Sequence, residues 1–130
     1  MPTEQYHEPP GELPKDVRTY ARLCTSLIEE AEAINWYAQR LAVEQDEDAA
    51  AIMRDAQDEE FKHFSMDLEY LLRRTPIWRE VAERVLFQPG DIVANGDAAE
   101  AAFEAGADDE EGPAGPAGSL GIGSLKGSER

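Results

Sequence analysis

Glu60 and His63 stand three residues apart in the stretch DEEFKH, residues 58–63. On a helix that spacing puts a carboxylate and an imidazole on one face, where the two can hold a metal ion together. The spacing is weak by itself. Glu accounts for 18 of the 130 residues, so about one His in seven has a Glu three positions upstream by chance. Glu4 and His7 make the point, because they lie in TEQYHEPPGELP, where prolines prevent a helix from keeping them in register. The elements around DEEFKH have to decide.

A chain of 130 residues has room for one small domain. Its net charge of -16 is unevenly placed: residues 88–118 hold eight acidic residues and no Lys or Arg. A basic groove for nucleic acid is absent. There is no apolar run suited to a signal peptide or membrane span, so the cytoplasm is the expected location. The one cysteine, Cys24, permits no internal disulfide and reads as a small buried hydrophobe on an apolar helical face.

Residues 1–13 carry three prolines in the first twelve positions and little apolar periodicity, and are expected to form an extended arm. From Asp16 to about Val43 there is no Gly or Pro, and Val17, Tyr20, Cys24, Leu27, Ala31, Ile34, Ala38 and Leu41 recur at steps of three and four. That pattern predicts a long amphipathic helix. EQDED, residues 44–48, breaks it and offers Asp46 as the cap of a second helix reaching about Arg74. Thr75 and Pro76 then introduce a short third helix, IWREVAERVLF, which stops near Gln88-Pro89-Gly90. The helical domain is therefore expected over 14–88. Residues 89–118 are acidic and rich in Ala, Gly and Pro, a composition expected to stay disordered as a linker. Residues 119–130 change character again, with Leu120, Ile122 and Leu125 spaced by Gly121, Gly123 and Ser124.

An antiparallel hairpin turning near Gln45 brings Glu30 and Glu60 to one level, each fifteen residues from the bend and about 22 Å along the helix. Glu30 is the only charge in the stripe Leu23, Leu27, Glu30, Ile34, Tyr37, Leu41. Glu60, His63 and Asp67 interrupt the facing stripe that begins at Met53 and Ala56. A buried ion gives up several kcal/mol of hydration unless it is paired or bound to metal. A plainer reading leaves both glutamates at the stripe edge, or His63 in an ordinary ion pair. Oxygen and nitrogen donors without a thiolate favour iron or manganese over a structural zinc site. A ferritin-like di-iron bundle takes one Glu from each of two helices and a Glu-x-x-His pair from each of the other two, and this hairpin supplies one of each. The expected fold is all-α: a two-helix hairpin plus a short third helix, half of a ferritin-like four-helix bundle completed by dimerisation, because about 70 folded residues give a thin core alone.

At this point the chain resembles the encapsulated ferritins, the iron-oxidising cargo of encapsulin nanocompartments. The resemblance rests on HEP (7–9), IEEAEAINWYAQR (28–40), DEEFKH (58–63), LEYLLRR (68–74), VLF (85–87) and LGIGSLKG (120–127). It implies a ferroxidase with a di-iron site made by Glu30, Glu60 and His63 of both chains of a dimer, lined by Trp36 and Tyr37. It also implies that Glu29 and Glu32 form an outer acidic patch attracting iron, although an ordinary solvated helix face remains the plain reading of both. Dimers of this family close into a ring, and the resemblance implies that the peptide Leu120, Gly121, Ile122, Gly123, Ser124 and Leu125 docks on the inner wall of the shell. Asp67 is not carried over as a ligand. It either orients the imidazole from outside or is a solvated face residue, and the second is preferred. The rivals are a structural helical cargo without chemistry and a di-metal carboxylate protein acting on peroxide.

Overall fold

The computed structural model describes residues 4–109. After a 3-10 turn at Pro10–Glu12 come four helices, α1 (Lys15–Val43), α2 (Glu47–Arg74), α3 (Pro76–Val85) and α4 (Ile92–Asp109), with no strand among the described residues. The chain forms two compact units, one running to Leu71 and the other beginning at Leu72.

In the first unit α1 begins where the Pro14 carbonyl accepts the Arg18 N–H at 3.1 Å. It ends at Glu44, which turns extended at φ -74, ψ 128. The Glu44 side chain then folds over the bend, its Oε2 accepting the N–H groups of Gln45 and Asp46 at 3.1 Å each. Asp46 caps α2 as its position in the sequence suggests, with Oδ2 accepting the Ala49 N–H at 2.8 Å. Glu47 and Asp48 lie in the first turn of α2 and Arg73 and Arg74 in its last, each sign at the helix end where the dipole favours it. Across the hairpin, Gln57 Nε2 donates to the Ile34 carbonyl at 3.0 Å.

The apolar face of this unit is only partly covered. None of the 29 residues of α1 is buried. The buried apolar side chains among the described residues are Ala50, Leu71, Leu72, Ala82 and Ala99, and Leu71 alone of them is large and fully enclosed. Cys24 is half-buried rather than buried, with desolvation raising its thiol pKa.

In the second unit Pro76 occupies the first turn of α3, and buried Thr75 stands at the cap position without a side-chain capping bond. Past Val85 the backbone leaves the helix: Leu86 is extended, Phe87 takes the left-handed region at φ 61 and Gly90 does so at φ 94. A glycine adopts that conformation without penalty, whereas a phenylalanine does so at a cost. The turn is tied by Gln88 Nε2 donating to the Glu83 carbonyl at 3.0 Å and Asn95 Nδ2 to the Pro89 carbonyl at 3.1 Å.

The expected linker over 89–118 is corrected here, because residues 92–109 are helical. Composition misled: Gly, Pro and acidic residues suggested a solvated chain, but Ala94, Ala98, Ala99, Ala101, Ala102 and Ala105 are strong helix formers. Asp91 supplies a start, its Oδ2 accepting the Ala94 N–H at 2.8 Å. α4 packs against α3, and Ala99 is 1% exposed, a methyl small enough to let two helices approach closely. The rest of the linker and the peptide Leu120–Leu125 lie outside the described residues.

Two substitutions test α4 in opposite directions. Asp91→Ala removes the cap and lowers the stability of the second unit by about 1 kcal/mol. Gly96→Ala meets open space within 4 Å and raises it by about 0.5–1 kcal/mol. Amide exchange across 94–105 reads both. Coil-like exchange there in the unmodified chain would restore the disordered linker.

Candidate metal centre

Glu30 projects from the middle of α1, and Glu60, His63 and Asp67 from successive turns of α2. Their register is set by the bend: Ile34 and Gln57, bonded across the hairpin, stand eleven and twelve residues from Gln45, and Glu30 and Glu60 fifteen each. The two glutamates are therefore level because the turn is short and tightly capped at both ends.

Glu30 is in an electrostatically unfavourable position. Its pKa is raised from 4.5 to about 7, first by burial, then by a shared proton and like charge from Asp67, and further by Glu60 and Glu29. Glu30 Oε2 and Asp67 Oδ2 are both shielded from solvent, and neither finds a donor. Two ionised carboxylates can only accept, so the Glu30–Asp67 contact needs either one proton between them or a cation. Asp67 is thus not the solvated face residue the sequence suggested. It faces Glu30 across the hairpin, and the imidazole is held elsewhere.

His63 turns Nδ1 toward Glu60 Oε1 at 3.4 Å and Nε2 toward Glu59 Oε2 at 3.8 Å. Glu59 is already engaged, with Lys62 Nζ 2.8 Å away. Its carboxyl pKa is lowered, first by the Lys62 hydrogen bond and charge and then by His63. The cation nearest in sequence to His63 is therefore spent on the outer face of α2 and does not relieve Glu30.

The chain thus brings Glu30, Glu60, His63 and Asp67 together, with Glu29 adding charge at the edge. It does not gather Trp36, Tyr37 or Glu32 into that contact set. Trp36 is 50% exposed and borders a shallow surface depression with Gln39 and Arg40. Tyr37 lies under the Arg40 guanidinium, 5.2 Å from its ring centroid. Among the described residues of the single chain, no group of three or more His, Cys, Asp or Glu is arranged to hold a metal ion. The donor set nevertheless suits a hard cation, for anionic oxygens dominate it and two of them, Glu30 Oε2 and Asp67 Oδ2, lack any hydrogen-bond partner. Asp67 was noticed one helical turn after His63 but assigned to a solvated face, and Gln57 was missed because it reaches a backbone carbonyl, for which side-chain spacing gives no signal.

Comparison with known proteins places the chain in a family. The EncFtn-like family matches residues 5–89. An encapsulated ferritin-like protein of Rhodospirillum rubrum is 39% identical over 122 residues, covering 93% of this chain and 87% of its own. A ferritin-like protein of Thermotoga maritima is 43% identical over 84 residues, covering 65% of this chain and 74% of its own. Among solved structures, a protein from Nitrosomonas europaea superposes with a TM-score of 0.66 at 35% identity, covering 68% of this chain and 98% of its own. The match to the family spans Glu30, Glu60, His63 and Asp67 together with the hairpin that aligns them, and by it this chain belongs to the EncFtn-like family.

Proposed function

We propose that the chain oxidises Fe(II) to Fe(III) with dioxygen at a two-iron site completed by a second copy of itself, inside an encapsulin shell. The observation that carries this reading is the shielded, unpartnered Glu30 Oε2 beside Asp67 and Glu60. That cluster needs positive charge, and the described residues of one chain offer too few donors to enclose an ion. The half-covered face of α1 gives a second copy a surface to bury, and the partner's own Glu30, Glu60 and His63 would double the donor set.

Fe(II) is here the substrate. Glu30 and Glu60 supply anionic oxygens and His63 a neutral nitrogen. Anionic oxygens favour Fe(III) over Fe(II), since the harder ion gains more from them, and each iron passes one electron to dioxygen. Iron binding displaces the proton shared by Glu30 and Asp67, so uptake releases protons near neutral pH. Glu29 and Glu32 draw cations toward the site, and Trp36 and Tyr37 flank it once the dimer forms. The encapsulated relative of Rhodospirillum rubrum supports delivery to a shell, for which LGIGSLKG is the docking peptide.

Fe(II) oxidation in air, followed optically, tests the site. Glu60→Ala and His63→Ala lower the initial rate at least about tenfold, and both weaken metal-dependent assembly measured by native mass. Variants as fast as the unmodified protein would transfer the reading to a structural cargo without chemistry.

Glu30 gives a second test through pH. Its folded pKa lies above its ordinary value of 4.5, so between about 4.5 and 7 the folded chain holds more protons than the unfolded one. Stability of the metal-free protein therefore falls as pH rises through that window. Glu30→Gln removes the conflict: it raises the melting temperature at pH 8, has little effect at pH 4.5, and slows iron oxidation at both ends of the working range. A variant less stable at pH 8 would show that Glu30 has a satisfied partner instead.

A further inference from the structure

The turn between α3 and α4 exposes a group of apolar side chains that neither helix covers. Leu86 is 41% exposed, Phe87 102%, Ile92 72% and Val93 70%. Phe87 is held out in the left-handed region, so its ring is presented by a backbone conformation phenylalanine does not favour. Alongside this patch α4 carries the acids Asp97 and Glu104 and no cation. The last turn of α3 brings Arg84 to the other side of the turn, so the patch suits an occupant that is apolar and carries its positive charge on the α4 side.

The sequence contains such an occupant. Beyond Arg84 the only cations are Lys126 and Arg130, and they border the apolar run Leu120, Ile122, Leu125. α4 is 18 residues long, about 27 Å. Ten residues lie between Asp109 and Leu120, and the eleven Cα steps they make can extend to roughly 36 Å, enough to return along the helix to its first turn. A second copy is the poorer fit, because docking like patches would set two acidic α4 helices side by side.

We infer that the C-terminal run Leu120–Leu125 folds back along α4 and seats its apolar side chains on Phe87, Ile92 and Val93 of the same chain, with Lys126 beside the acids of α4. This goes beyond the reading of the chain as an iron oxidase and does not depend on it. It gives the terminal peptide two competing sites, its own chain and any external partner.

Thiol cross-linking in the full chain tests the inference. Cys24→Ser removes the native thiol, and Val93→Cys with Ser124→Cys creates a pair that mild oxidation joins only when the two side chains meet. The expected product is an intramolecular disulfide, with a formation rate about tenfold slower in each of two further backgrounds. Phe87→Asn with Ile92→Gln removes the patch while suiting the left-handed φ at 87, and both sites are exposed, so the fold is unaffected. Leu120→Ser with Ile122→Ser removes the occupant. Equal rates in all three proteins would mean that the tail is merely tethered and would overturn the inference, and so would disulfide-linked dimers as the main product, which would assign the patch to a second copy.

Discussion

Three carboxylates and one imidazole share the seam of a single helix hairpin, and the nearest lysine is engaged elsewhere. Glu30 cannot ionise freely beside Asp67 and Glu60, and Lys62 is held by Glu59 on the outer face. A helix pair could remove such a conflict by letting the side chains swing into water. Here the register keeps the acids facing one another: the bend at Glu44–Asp46 is closed by three side-chain bonds, and the Gln57–Ile34 bond holds the level at which the two helices meet. The charge problem is thus built into the hairpin and has to be relieved from outside, by protons or by a cation.

The same hairpin leaves the apolar face of α1 only partly covered. An amphipathic helix of 29 residues without one buried side chain has only part of its apolar face enclosed. The carboxylate cluster sits on the inner face of that hairpin, so whatever covers the apolar surface also changes the dielectric around Glu30. Association and electrostatics are coupled at this point: burying more surface without adding positive charge would push Glu30 further from ionisation.

The sequence revealed some of this and hid the rest for physical reasons. The level of Glu30 and Glu60 followed from counting residues to an acidic break, because helical rise is constant and the break contains its own capping residue. The pairing of Glu60 with His63 followed from the three-residue spacing. Asp67 was misjudged because its position on α2 predicted a face but not which residue of α1 lay opposite. α4 was missed because Gly and Pro near its ends outweighed an alanine run whose contribution is local and additive. The left-handed Phe87 has no signature in residue type at all, since the preference that would reveal it belongs to Gly and Asn.

The scarcity of buried apolar residues has a calorimetric consequence. The heat-capacity change of unfolding tracks the apolar surface exposed, and in this chain one leucine is the only large side chain, among the described residues, fully withdrawn from water. The free energy of the lone chain therefore varies gently with temperature, with no sharp maximum. Any surface that came to cover α1 would add curvature in proportion to the apolar area it buried.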